Sequence, residues 1–354
     1  MTGELRGDAS PRIIVTGGAG FVMSNVAHAL LASNPAAQVL IVDIYEGDTL
    51  AEQFLAAFGS RVAFGFADVR DPRQLRDLGQ DFDPTHVVHG AAVTHQPRLE
   101  VEQPSIYAEV NIMGTVNLLD WARGLPRLER FVHVSTGGVY GASSPSSPLG
   151  SQPEDGPFDP PELYAVSKFA AELFVRRYRE LFSLGTVRVR LADVFGPMER
   201  ATGARSGMSL PYKMMRAALE RRPLRVTARS HLAPIDLTSA EDVASALNRL
   251  LLAGDLSHDV YNIAAGRHVA VGALFDAFRR VEPAFTVETV ALPQAEVDLD
   301  PSNRTARYNA YDTARIGALG WKPRPLEQQL GAYRDWVSAD PDSRCPVSAG
   351  KSGN

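Results

Sequence analysis

The feature that most constrains this chain is the alternation, over roughly its first two hundred residues, of short continuously apolar runs with longer helical patterns. The runs are Arg12–Thr16, Val39–Asp43, Val62–Ala67, His86–Ala92, Phe131–Ser135 and Val187–Ala192. They are dense in Val, Ile and Phe and do not alternate with polar residues, which is how strands buried on both faces of a parallel sheet read. Between them lie helical patterns at Phe21–Ala32, Pro104–Arg123 and Leu163–Phe182. In the second, Ile106, Val110, Met113, Asn117 and the pair Leu118–Leu119 recur at helical spacing. Repeated strand–helix–strand units predict an α/β fold: a doubly wound parallel sheet with right-handed crossovers.

The remainder divides by pattern. Ala142–Pro161 is rich in Ser, Pro and Gly and reads as a loop beside the chemistry. From about Gly196 the alternation becomes irregular. Helices are expected at Ser209–Arg222, Ala240–Leu252, Val271–Arg280 and Leu326–Val337, with short strands at Val260–Ala264 and Thr286–Val290. The expected organisation is a nucleotide-binding domain over 11–196 that also carries the catalytic residues. A smaller C-terminal α+β substrate lobe follows over 197–337, partly interleaved with the sheet, then a disordered tail over 338–354.

Composition removes several classes. Thirty-six basic against 41 acidic residues leave a net charge of −5, which gives no electrostatic motive for nucleic acid or an anionic membrane. A single cysteine, Cys345, can make neither an internal disulfide nor a thiolate metal site. The histidines His86, His89, His95 and His133 match no metal-ligand spacing, so no metal is expected. Met1–Pro11 is polar, and no apolar run is long enough to span a bilayer. A cytoplasmic protein without a membrane partner is the expectation.

The first strand runs into Thr16-Gly17-Gly18-Ala19-Gly20-Phe21-Val22-Met23 and then a helix. Gly17 and Gly20 allow a tight turn whose backbone N–H groups, with those of Phe21 and Val22, face a pyrophosphate at a helix N-terminus. Asp43 closes the second strand about 20 residues on, the place of a carboxylate that binds ribose hydroxyls and repels a 2′-phosphate; NAD is favoured over NADP. Asp68 and Val69, closing the third strand, can border adenine, and Ala91 and Ala92 are small enough for a cofactor to lie against the sheet. Met23 stands where a small residue normally lets helix and strand pack closely, and weakened or altered cofactor binding is expected from it.

Tyr164 and Lys168 stand at i and i+4 on one helix face. A free phenol, with a pKa of about 10, is a poor base at neutral pH. A neighbouring ammonium and an oxidised nicotinamide favour the phenolate, which can then take a proton from a secondary alcohol. Thr136, at the C-terminal end of the fifth strand, can align the substrate oxygen.

In this order the motifs resemble the extended short-chain dehydrogenase/reductase family, the NAD-dependent nucleotide-sugar epimerases and dehydratases. The pieces are Thr16–Gly20, Asp43, Asp68-Val69, His89–Ala92, Asn111–Leu119, Val134–Gly141 and Tyr164–Lys168. Arg190–Pro197, Tyr261–Gly266 and Leu319–Pro323 follow in sequence, and the likeness covers about 11 to 337. The resemblance implies a Rossmann-type fold and a catalytic set of Thr136, Tyr164 and Lys168. By it Lys168 also holds the nicotinamide ribose, Asn111 joins the cofactor site, and a homodimer forms through the helices Pro104–Arg123 and Leu163–Phe182.

The departures bear on the reaction. Members that eliminate water carry an acidic pair after the catalytic Thr; here Gly137 and Gly138 follow, which argues against a 4,6-dehydratase. Asp193 stands where the family usually has Asn, and Ile235 where it usually has Arg, near the substrate's diphosphate. Arg200, Arg205, Arg225, Arg229 and His231 are candidate substitute contacts in the substrate lobe. The leading reading is an NAD-dependent oxidoreductase moving hydride between NAD and a secondary alcohol or ketone of a sugar or sugar-acid substrate. A nucleotide-sugar 4-epimerase without net redox change is the alternative, and a non-catalytic NAD-binding regulator a further one.

Overall fold

The computed structural model describes residues 10–45, 48–141, 151–299 and 310–345. Its centre is a seven-stranded parallel sheet. The first five strands are β1 (Arg12–Thr16), β2 (Gln38–Asp43), β3 (Val62–Phe66), β4 (His86–His89) and β5 (Arg130–Thr136). The strands Thr186–Leu191 and Val260–Ile263 continue the sheet beyond β5. Across the sheet the order is β3, β2, β1, β4, β5, then those two. The order reverses between β1 and β4, and at such a switch point the crossovers diverge and leave a crevice at the strands' C-terminal ends.

Both faces of the sheet are covered. On one, Ile13, Val15, Val39 and Ile41 pack beneath α1 (Phe21–Ser33) and the helix Ala240–Leu252. On the other, Ile14, Leu40, Val87 and Phe131 meet Leu118, Leu119, Ala122 and Val175 from the helices Gly114–Ala122 and Leu163–Phe182. Consecutive strand residues thus point into different cores, which is why the runs are apolar without alternation. The edge strand β3 departs from this, with Phe64 and Phe66 exposed.

A second apolar cluster gathers Phe195, Met214, Met215, Phe275, Phe278 and Tyr333 around the helices Leu210–Leu219, Val271–Val281 and Leu326–Ala339. The chain after 197 does not stay in this lobe: the helix Ala240–Leu252 packs on α1 and Val260–Ile263 joins the sheet.

Three expectations are corrected. The fourth strand ends at His89, because the chain leaves the sheet where the crevice opens. The continuous helix over Pro104–Arg123 is instead a π-helical stretch, Tyr107–Met113, followed by Gly114–Ala122. The tail expected to be disordered from 338 is ordered over its first part: helix continues to Ala339, Pro341–Arg344 forms a further turn, and Cys345 is buried in the second cluster. Residues 346–354, like 142–150 of the loop, lie outside the described residues.

Candidate active site

A cleft of about 800 Å³ opens at the switch point. Its floor is the turn after β1. Gly17 has φ +66°, and a Cβ there would meet the Ala91 backbone at 2.8 Å. Only glycine tolerates both the left-handed backbone and this approach. Gly20 then begins α1, with its N–H bonded to the Gly17 carbonyl at 3.0 Å. Phe21, Val22, Ala91 and Ala92 line the same floor.

Met23 fits through a second glycine. A Cβ at Gly90 would stand 2.3 Å from the Met23 Cγ and Sδ, so the thioether occupies the room that Gly90 leaves open. The bulk of Met23 is taken up in this local gap at β4's exit.

Asp43 reaches back under the turn, its carboxylate accepting the Ala19 N–H at 3.2 Å and the Ile44 N–H at 2.8 Å. Burial raises its pKa above the usual carboxylate range, against these N–H groups. Asp68 and Val69 line the next part of the wall. Burial pushes the Asp68 carboxyl up, but its hydrogen bonds and pairing with Arg70 outweigh that and hold it below its ordinary value.

Thr136, Tyr164 and Lys168 line the same cleft. Thr136 Oγ1 accepts the Gly138 N–H at 3.0 Å, which leaves its hydroxyl proton to donate elsewhere. Tyr164 lies in the first turn of the helix Leu163–Phe182, where the positive end of the helix favours a phenolate. The first N–H of that helix, at Leu163, is taken by Glu100 Oε1 at 2.7 Å. Lys168 is 1% exposed, and its ammonium has no hydrogen-bond partner among the described residues. Burial pushes its pKa down to about 8, with Glu172 pulling the other way. An unsatisfied buried ammonium costs stability unless a ligand completes it. With the N-terminal end of α1 and the Asp43 carboxylate, it fits a dinucleotide carrying ribose hydroxyls.

Other candidates sit differently. Asn111 is fully buried and outside the cleft lining; its amide pairs with the Val93 backbone and with Ser167. His231 is also outside the lining, at the edge of Phe275 and 3.3 Å from the Thr289 hydroxyl. Arg225 and Arg229 are engaged by Glu296 and Asp298 and do not line the cleft either. Arg200 and Arg205 do line it, but at the dinucleotide turn. Arg200 bonds the Ala19 carbonyl at 2.9 Å and pairs with Asp48, while Arg205 pairs with buried Glu199 at 2.7 Å and lies over the Phe21 ring. Asp193 faces the cleft from a strand paired with Leu237–Ser239. Its charge adds to burial in raising the pKa of neighbouring Asp236 to about 6.

Two features escaped the sequence reading. Lys213, on the helix Leu210–Leu219, lines the cleft, as do Met208, Ile235, Leu237, Val297 and Leu299, and makes no ion pair among the described residues. Nothing in its local pattern separates it from a surface lysine. The second is a crossing. The Thr94 N–H and hydroxyl both donate to the Ala204 carbonyl, at 3.0 and 2.8 Å, and Gln96 donates to that of Gly203. Gly203 also abuts the Tyr45 hydroxyl. The segment 199–205 therefore touches residues on two parts of the cleft lining, Thr94 and Tyr45.

Among the described residues no helix is long and apolar enough to cross a membrane. The profile of the NAD dependent epimerase/dehydratase family matches residues 13–264. Low-salt glycan biosynthesis protein Agl12 of Haloferax volcanii is 31% identical over 340 residues, covering 93% of this chain and 99% of that protein. The dTDP-glucose 4,6-dehydratase of Salmonella typhimurium is 26% identical, covering 94% and 99%. Among solved structures, the Thermus thermophilus UDP-glucose 4-epimerase complex with NAD superposes with a TM-score of 0.76 at 26% identity, covering 93% and 99%. The Thermotoga maritima UDP-glucose 4-epimerase with UDP-glucose shares the fold, at TM-score 0.77 and 24% identity over 92% and 98%. The crevice at the sheet's reversal, the turn that floors it and these likenesses lead to one assignment: the chain belongs to the NAD-dependent epimerase/dehydratase family and is an enzyme whose cofactor is NAD.

Proposed function

We propose that the cleft oxidises a secondary hydroxyl of a sugar carried on a nucleotide, with Tyr164 as base. The observation that carries this reading is the ammonium of Lys168, which has no hydrogen-bond partner among the described residues, is buried one helical turn from Tyr164 and lines the same cleft as the glycine turn. Gly17, Gly20, Phe21, Val22, Asp43, Asp68, Val69, Ala91 and Ala92 would hold the cofactor, with Lys168 on its second ribose. NAD bound there supplies the hydride acceptor. Thr136 donates its free proton to the substrate oxygen and fixes its direction. Tyr164 takes the hydroxyl proton, and the Lys168 charge stabilises the phenolate before and after. Among the described residues Lys213 is a cleft cation without an ion pair and is assigned to the anionic part of the substrate, since Arg200 and Arg205 are already paired with carboxylates. The helices bearing Met113 and Tyr164 would form a homodimer interface.

A second reading, a 4-epimerase that returns the hydride within one turnover, is favoured by the crossing at 199–205. A cofactor that must leave after each turnover is poorly served by a segment fastened to two parts of the cleft lining; one that stays is well served.

Tyr164→Phe tests the base. Turnover of a panel of UDP-glucose, UDP-glucuronic acid, dTDP-glucose and free sugar acids is expected to fall about 100- to 10,000-fold, with NAD affinity unchanged. Full activity in that variant ends the proposal. On the active enzyme, NADH accumulation in step with product identifies net oxidation; an epimeric product without NADH identifies the second reading.

A further inference from the structure

Beneath the cleft, polar side chains form one continuous chain from the glycine turn to the catalytic helix. The Thr16 hydroxyl lies 2.8 Å from His89 Nδ1, and His89 Nε2 lies 2.9 Å from the Thr115 hydroxyl. Thr115 donates to the Asn111 carbonyl at 2.7 Å. The Asn111 amide donates to Ser167 Oγ at 2.9 Å, and Ser167 donates to the carbonyl of Tyr164 at 2.8 Å. Thr16, His89, Thr115 and Asn111 are fully buried and Ser167 is 3% exposed. The π-helical stretch Tyr107–Met113 is what turns Asn111 inward to complete the chain, and such stretches often mark functional places in helices.

The donors settle the protonation of His89. Thr115 spends its one proton on a carbonyl, so its oxygen must accept from His89, which places the ring proton on Nε2. Nδ1 is then the acceptor and Thr16 the donor. Thr16 Oγ1 in turn is 3.4 Å from the Ala91 N–H, at the wall of the cleft. Every bond runs one way, from the dinucleotide wall to the Tyr164 backbone. The groups facing the ring support a neutral form: the His133 ring, buried on β5, has its centroid 5.4 Å away, and burial and the charge of Lys168 both drive the His89 pKa down, to about 3.

We propose that His89 is a positioning residue for catalysis: as a fixed neutral tautomer it joins Thr16 on the cofactor turn to Thr115, Asn111 and Ser167, and so holds the first turn of the catalytic helix at a set height above the cofactor. The proposal rests on Tyr164 being the base. In a polar cluster out of water, losing one link leaves its neighbours unsatisfied and frees the helix to shift, and small misplacements of a base are costly.

The test uses the full chain loaded with NAD. Thr115→Val keeps the shape and removes the hydroxyl; Thr115→Ser keeps the hydroxyl. Thr115→Val is expected to lower kcat about tenfold or more at nearly unchanged KM and NAD affinity, measured with the best substrate of the panel above, and Thr115→Ser to restore most of it. An unchanged kcat in Thr115→Val overturns the proposal. Nitrogen-15 histidine spectra of the unmutated protein give an answer independent of any variant. They are expected to show His89 with its proton on Nε2 and no titration from about pH 5 to about pH 9. The other tautomer, or a ring that titrates in that range, overturns it. Tyr164→Phe measured alongside separates the two ideas: if it is fully active the base assignment fails, and if it is inactive while Thr115→Val is normal only the positioning role fails.

Discussion

At the scale of single residues, the site is built at a cost that Lys168 makes measurable. Its ammonium is buried without a hydrogen-bond partner among the described residues, and burial lowers its pKa to about 8. Below that pH the native state carries a desolvated charge that the unfolded chain solvates freely. As pH rises from about 8 toward the ordinary lysine value of about 10.4, the native side chain is neutral while the unfolded one is still protonated, so stability attributable to this group increases. Lys168→Met is therefore expected to be more stable than the parent at pH 7, by on the order of 1–3 kcal/mol, with turnover lost. The gap should close above about pH 8 in thermal melts of the cofactor-free protein; a variant less stable at neutral pH would contradict the assignment. Met23 shows where sequence reading stops at this scale. The rule it breaks concerns a distance between helix and strand, and the residue that restores the distance, Gly90, is 67 positions away (90 − 23) and adjacent only because β1 pairs with β4. No local pattern holds that information.

At the scale of elements, the sheet was legible because its strands are buried on both faces, and the helix Leu163–Phe182 was legible to the residue because its pattern has no interruption. The stretch before it was not. Equal helical spacing from Ile106 to Leu119 predicts one uninterrupted helix, yet Met113 is 51% exposed and Asn111 is buried, because the π-helical stretch inserts an extra residue and rotates the face. The partners that hold the rotated residue, the Val93 backbone and Ser167, lie outside this helix and leave no mark on its own pattern. The helix that follows starts at Gly114, where a Cβ would stand 2.6 Å from Val69 Cγ2. Val69 is buried and lines the cleft next to Asp68, so Gly114 sets how closely this helix approaches the cleft wall. Gly114→Ala is expected to push Val69 into the cleft and weaken NAD binding about tenfold by calorimetry while far-ultraviolet circular dichroism stays the same. Unaltered affinity for both NAD and ADP-ribose would show that Val69 does not border the cofactor.

At the scale of the whole molecule, β1 and β5 run parallel on either side of β4, so their C-terminal ends reach the same cleft and the glycine turn and Thr136 both line it although 116 positions separate Thr136 from Gly20 (136 − 20). The same geometry gives the helix Leu163–Phe182 two working faces. One carries Tyr164 and Lys168 to the cleft. Another carries Val166, Leu173, Phe174 and Leu181, which recur at helical spacing and are 39–54% exposed, and Met113 on a neighbouring element is exposed as well. A contiguous apolar stripe of this kind is unusual on a monomer, and a helix face that packs on its own copy about a two-fold axis covers it with the same residues from both subunits. None of the stripe residues lines the cleft, so association and cofactor binding can be separated. Phe174→Glu places a charge at the centre of the stripe, where pairing would set two carboxylates together. Sedimentation is expected to show a dimer for the parent at micromolar concentration and a monomer for the variant, with NAD affinity retained in both. A parent chain that sediments as a monomer would leave the stripe without this partner, and the catalytic reading would stand on the cleft of a single chain.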